Sequence, residues 1–138
     1  MERETVSWER TLGGPPSSES KLPHWTSYAG RLGREQALAV AIRSWREGRY
    51  TMVCAKKEEG ELIAEQTPDG GFKVSLRRSS GNREYRPAEK EDKAFLRLVI
   101  KRFHEATTNP PAEGGQHVDR HVLLETLSNF LKRLEPEG

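Results

Sequence analysis

Residues 72–77 read Phe-Lys-Val-Ser-Leu-Arg, a strict alternation of apolar and polar positions. Because neighbouring side chains of a strand point to opposite faces, this segment predicts a half-buried antiparallel strand. Two further apolar segments precede it, at 50–55 and 61–66, and the polar segments that separate the three contain Gly, Pro and Asp, which favour turns. Short connections of this kind favour a three-stranded antiparallel meander.

Three other segments have the spacing of amphipathic helices. In residues 34–47 an apolar stripe at i, i+3, i+4 and i+7 begins at Leu38, and Gly48 suits the position after a last helical turn. Residues 87–107 and 118–134 have comparable stripes. We expect the leucine-rich stripe of the last segment to pack within the chain; the alternative is a contact in a homo-oligomer or with a partner.

The first 33 residues lack a sustained period. Residues 13–18 read Gly-Gly-Pro-Pro-Ser-Ser, a composition typical of a linker, and Trp8 and Trp25 lie on either side of it. We expect these indoles to dock on the body of the protein; the alternative is that they anchor a partner. The sequence thus predicts an extended N-terminal arm with a Gly/Pro/Ser linker over residues 1–33 and a single α+β domain over 34–134. In this domain an N-terminal helix and two C-terminal helices flank the meander.

Composition limits the class of protein. The chain has 138 residues, of which 33% are hydrophobic and 32% charged, so we expect one domain with a modest core. It has no apolar run long enough to span a membrane and no apolar N-terminal stretch typical of a secretory signal. The single cysteine, Cys54, cannot form an internal disulfide, which favours a cytoplasmic protein with Cys54 as a small apolar residue. Eighteen Glu against three Asp, with few Asn and Gln, resemble the composition of thermophile proteins.

The densest positive charge lies in residues 77–86, where four Arg oppose one Glu. Guanidinium groups bind phosphate or carboxylate, and a tyrosine can stack on a base. The alternative is a solvated surface loop that the acidic start of the next helix balances. The predicted contact residues for a partner or a nucleic acid are Arg77, Arg78, Arg83, Tyr85, Arg86, Lys73, Trp8 and Trp25.

Catalytic and metal-binding motifs are absent from the sequence. His117 and His121 have a spacing that can ligate zinc, but no Glu follows the first His as the HExxH motif requires, and we predict a solvated helix face instead of a metal site. There is no nucleophile elbow, phosphate-binding loop or dinucleotide fingerprint. We therefore expect no enzymatic activity and no cofactor.

These patterns favour a small non-enzymatic protein that binds another protein and regulates it, without membrane contact. Modulators or inhibitors of a nucleic-acid machine such as RNA polymerase, encoded by phages or mobile elements, are a class of this kind. The alternative is direct nucleic-acid binding through the Arg-rich loop 77–86. The net charge of only +2 argues against that alternative, because non-specific binding to nucleic acid depends on positive charge.

Overall fold

A run of strands followed by two helices makes up the described part of the chain. The computed structural model describes residues 5–12, 25–78, 85–108 and 119–135. The elements are β1 (Val6–Leu12), β2 (Thr26–Leu32), β3 (Gln36–Trp45), β4 (Gly48–Lys57), β5 (Gly60–Gln66), β6 (Phe72–Arg78), β7 (Tyr85–Pro87), α1 (Lys90–Thr108) and α2 (Arg120–Leu134). The strands form one antiparallel sheet in the order β1 to β7, so each strand pairs with its neighbours in sequence.

The register divides the side chains of the sheet between two faces. Strand β3 contributes Leu38, Val40 and Ile42 to the core that the sheet forms with α1 and α2. The intervening alanines of β3 point away from the helices, as the period of two requires. The helices complete the core with these buried side chains: Leu96, Val99, Ile100, Phe103 and Ala106 of α1, and Leu123, Leu127, Phe130 and Leu134 of α2. The face turned away from both helices is called the open face below.

Trp8 anchors strand β1 to the core, and its side chain is only 6% exposed. Its indole N–H donates a hydrogen bond to the hydroxyl of Thr107 in α1, at 2.9 Å. Its ring meets Phe103 edge to face with 5.7 Å between centroids. Gly30 pairs with Trp8 on the neighbouring strand, and a Cβ atom there would lie 2.5 Å from the indole. Glycine at this position therefore makes room for the indole against β2.

The fold class predicted from the sequence is wrong. Residues 6–12 and 26–32, expected in an extended arm, are strands β1 and β2 of the same sheet. The helix expected over residues 34–47 is strand β3, which pairs with β2 and β4 along almost its whole length. Those ladders, and the burial of one face of β3, outweigh the helix propensity of its alanines. The sheet accordingly has seven described strands where the sequence predicted three.

Other elements lie where the sequence predicted them. Strands β4, β5 and β6 match the three predicted strands, and both C-terminal helices are present. Pro87 pairs with Ser75 as the last residue of β7 and does not open the helix. The apolar side of α2 is buried within the chain, as expected. Neither described helix is long and apolar enough to cross a membrane.

A buried carboxylate holds the start of α1 to the sheet. Asp92 is 2% exposed, and it accepts hydrogen bonds from the Lys57 ammonium at 2.5 Å and from the backbone N–H of Glu89 at 3.0 Å. The guanidinium of Arg86 lies 3.3 Å from its second oxygen. The hydrogen bond from Lys57, with the other two contacts, lowers the pKa of Asp92, and the same bond raises the pKa of Lys57. This cluster joins β4, β7 and the first turn of α1.

Candidate functional site

Small side chains form the centre of the open face. Ala37, Ala39 and Ala41 of β3 alternate with the core residues of that strand. In the register of the sheet, Ala39 lies between Ala29 of β2 and Cys54 of β4. From residue 37 to residue 41 the strand advances by roughly 14 Å at about 3.4 Å per residue, and along it no β3 side chain on this face is larger than a methyl group. The result is a shallow apolar channel along β3 that is accessible at Ala37 and Ala39, whereas Ala41 is buried, as are Cys54 and Ile63 on the same face.

A cavity of about 360 Å³ lies over one end of this channel. Its floor includes Ala29, Ala37, Ala39 and Cys54. Four charged side chains from four strands surround the floor: Glu9 of β1, Arg31 of β2, Lys56 of β4 and Glu61 of β5. The rim therefore has two positive and two negative groups around an apolar centre. This volume is within the range of roughly 300–1,000 Å³ that ligand-binding cavities occupy.

Glu61, one of the residues that line this cavity, has one unsatisfied carboxylate oxygen. Its Oε2 atom is buried and has no hydrogen-bond partner. A buried polar atom left without a partner costs about 1–3 kcal/mol relative to a satisfied one.

Aromatic side chains lie at the other end of the open face. Trp25 meets Tyr50 edge to face, with 5.5 Å between ring centroids and an interplanar angle of 89°. Burial raises the pKa of Tyr50, and its hydrogen bond to Glu65 raises the pKa further, so the hydroxyl stays protonated and donates to that carboxylate. Trp25 is half-buried in this arrangement. The predicted contact residue Trp25 therefore belongs to the open face.

The predicted cationic residues separate into two groups. Arg77 pairs with Tyr85 in the register of β6 and β7, Lys73 lies on the same open face, and Tyr85 is 58% exposed. Arg78 is exposed but falls on the helix side of β6. The guanidinium of Arg86 lies 3.3 Å from the carboxylate of Asp92. It also lies near the carboxylates of Glu59, in the β4–β5 turn, and Glu89, directly before α1.

The remaining predicted contact residues are Trp8 and Arg83. Trp8 lies in the core, in keeping with the docking that we expected, and Arg83 lies outside the described residues. Arg86 and Trp8 thus have structural roles in the fold. Four of the eight predicted residues share the open face: Trp25, Lys73, Arg77 and Tyr85.

Sequence reasoning missed the apolar channel and its rim. The channel depends on β3 being a strand, and the helical interpretation of residues 34–47 placed its alanines around a helix. The signal was present in residues 37–42, where alanine alternates with Leu, Val and Ile. Glu9 and Glu61 gave no signal, because the sheet alone brings β1 and β5 to the same cavity.

No group of three or more His, Cys, Asp or Glu side chains that could hold a metal ion occurs among the described residues. His121 is exposed, His117 lies outside the described ranges, and Glu125 pairs with Arg49 at 3.3 Å. No protein-family model matches the chain, and no curated protein or solved structure is found to be similar to it.

Proposed function

We propose that the chain is a small non-enzymatic protein that binds another protein through the open face of its sheet and regulates it. The observation that carries this proposal is the apolar channel along β3 with its rim of opposite charges. Protein interfaces commonly have such an arrangement, with an apolar centre and a polar, hydrated rim. Side chains as small as alanine let a partner approach the sheet closely.

The open face is large enough for a specific interface. Seven strands about 4.8 Å apart, each about seven residues long at about 3.4 Å per residue, cover roughly 29 Å by 24 Å, or about 700 Å². A stable interface of standard size buries about 800 Å² on each partner. The partner must therefore cover most of this face, and we expect contacts to extend from the channel to Trp25 and Tyr85.

We further propose that the partner is a protein of a nucleic-acid-handling complex, such as RNA polymerase, and that the chain is a modulator or inhibitor of the kind that phages and mobile elements encode. Lys73, Arg77 and Tyr85 support this choice of partner. They lie on β6 and β7, at the edge of the open face and separated from the channel by β4 and β5, where they would approach nucleic acid held by the partner.

Substitution of the channel floor tests the proposal. Ala39→Arg places a long cation in the centre of the open face, and Leu98→Arg is the matched control, since Leu98 is 58% exposed on α1 away from the sheet. Each tagged variant is used to capture partners from nuclease-treated lysate. We expect wild type and Leu98→Arg to recover the same protein in equal amounts, and Ala39→Arg to recover at least tenfold less. Equal recovery by Ala39→Arg, with unchanged circular dichroism, would remove the open face from the proposal.

Direct nucleic-acid binding is the second candidate function. Its support is the exposed ring of Tyr85 beside Arg77, an arrangement that can stack on a base and hold a phosphate. Against it, Glu61 is the register partner of Arg77 and Glu65 is that of Lys73, so acidic groups accompany both cations. Binding of a single-stranded oligonucleotide that weakens steeply as salt rises from about 50 to 200 mM, and that Tyr85→Ala abolishes, would favour this function.

A further inference from the structure

Two cations flank a single alanine on the open face. Arg31 of β2 is the register partner of Ala37 in β3. Lys56 of β4 lies opposite Ala37 on the other side, because the next pair of that ladder joins Leu38 to Ala55. Two strand spacings of about 4.8 Å place the Cα atoms of the two cations roughly 10 Å apart. All three residues line the cavity of about 360 Å³, and both cationic side chains are long enough to reach a group above the alanine methyl.

Arg31 and Lys56 are both exposed, so a ligand can contact them. Across the described ranges, their charged groups form no ion pair within the chain. Lys57 and Arg86, by contrast, share the carboxylate of Asp92. Two like charges on either side of one small residue repel each other, and an anion placed between them attracts both. The pair therefore favours an anionic group above the alanine.

Two carboxylates on the outer sides of this pair restrict the kind of anion. Glu61 of β5 is the register partner of Lys56, and Glu9 of β1 lies beyond Arg31. From β1 to β5 the charges thus run negative, positive, neutral, positive, negative. A nucleic-acid strand has a phosphate on every nucleotide, so its next phosphates would meet a glutamate across the sheet and only alanine along β3. The arrangement therefore favours one isolated carboxylate over a polyanion.

An aspartate or glutamate of a protein partner has such a carboxylate. A guanidinium can hold a carboxylate through two parallel hydrogen bonds, and an ammonium adds a third donor. A partner that covers the apolar floor also excludes water from these contacts, which strengthens them. We propose that the protein partner docks with an acidic side chain above Ala37, and that its carboxylate binds Arg31 and Lys56 together. This proposal rests on the function proposed above and adds the chemistry of the partner's central contact.

Zero-length cross-linking with a carbodiimide tests the contact directly. The reagent activates a carboxylate, which forms an amide bond with a lysine amine only where the two groups meet. The tagged full chain, with the protein that it captures from nuclease-treated lysate, is cross-linked and digested for mass spectrometry. We expect a peptide in which Lys56 is joined to an Asp or Glu of that protein. Lys56→Arg keeps the positive charge, so it should retain the protein and lose this cross-link. A captured protein that is joined only through other residues of the chain would overturn the proposal.

Neutral variants separate this contact from the proposed function. We expect the double variant Arg31→Gln/Lys56→Gln to recover about tenfold less of that protein, because close charge pairs at interfaces contribute to affinity. Arg34→Gln is the matched control, since Arg34 is exposed in the β2–β3 turn outside the cavity, and it should recover as much as wild type. Unchanged recovery by the double variant, together with loss by Ala39→Arg, would overturn the acidic contact and leave the proposed function standing. If Ala39→Arg also recovers as much as wild type, or if wild type recovers no protein after nuclease treatment, both proposals are overturned.

Discussion

Replacement of Trp8 by alanine tests whether the N-terminal segment is part of the core. Trp8 is 6% exposed, contacts the ring of Phe103 and donates a hydrogen bond to Thr107. Truncation of a buried tryptophan costs about 3–5 kcal/mol through lost burial and the cavity left behind. We expect Trp8→Ala to lower the free energy of unfolding by about 4 kcal/mol. For a chain of this length the melting midpoint should fall by roughly 12–16 °C.

Trp8→Phe separates the hydrogen bond from the burial. Phenylalanine retains an aromatic ring beside Phe103 but lacks the indole N–H, and it leaves the Thr107 hydroxyl without its donor. A hydrogen bond of this kind contributes about 0.5–1.5 kcal/mol, so we expect a loss of about 1–2 kcal/mol once the smaller ring is included. In a double-mutant cycle with Thr107→Val, the coupling energy should be close to the hydrogen-bond term.

Urea unfolding followed by far-ultraviolet circular dichroism measures these changes. The midpoint should shift while the dependence on urea concentration stays constant, because the surface exposed on unfolding is nearly the same. Trp25→Ala is the control, since Trp25 is half-buried on the open face and contacts Tyr50 outside the core. A loss below about 1 kcal/mol for Trp8→Ala, no greater than that for Trp25→Ala, would refute the reasoning and return β1 to an extended arm.

Two further perturbations test other contacts of the core. Asp92→Asn removes the carboxylate that Lys57 and Arg86 share, and we expect it to cost about 3 kcal/mol at pH 7 in urea unfolding. Because the fold lowers the pKa of Asp92 below its usual 3.8, its contribution is complete above that value and is lost as the pH falls through the lower folded value. Stability measured from pH 6 to pH 2 should therefore fall more steeply for wild type than for Asp92→Asn, and parallel curves would contradict this role. Gly30→Ala puts a methyl group 2.5 Å from the Trp8 indole and should cost about 1–3 kcal/mol in the same assay. In a Trp8→Ala background that cost should nearly vanish, and an undiminished cost would show that the clash lies elsewhere.

Strands β4, β5 and β6 could be predicted because their signals are local. Turn-forming residues separate them, and the alternation in β6 places large apolar side chains on one face and polar ones on the other. In β3, by contrast, alanine occupies every second position between Leu38 and Ile42, so the residues on both faces of this strand are apolar. A stripe with helical spacing then passes through the same residues. Only pairing with β2 and β4 distinguishes the two interpretations, and that pairing involves residues far away in sequence.

The same limit explains which of the predicted contact residues lie together on one face. Alternation along β6 is enough to place Lys73 and Arg77 on one face, and only the pairing of β7 with β6 adds Tyr85 to it. Arg86 looked equivalent to them in sequence, but it pairs with a carboxylate that also binds Lys57 of β4. That cluster exists only once α1 packs on the sheet, so a count of charges along the chain cannot separate an arginine that anchors α1 from one on the open face.

The two faces of β3 differ in what their residues do for the fold. Leu38, Val40 and Ile42 bury apolar surface under the helices and hold the strand in the sheet. The alanines opposite contribute little to a strand, because alanine is depleted in strands relative to β-branched residues. An open face that met only water would be stabilised by larger β-favouring or charged side chains, as on Lys73 and Thr11 at the margins of this sheet. In the proposed interface, Ala37 and Ala39 allow the close approach of a partner, while Ala41 is already buried within the chain.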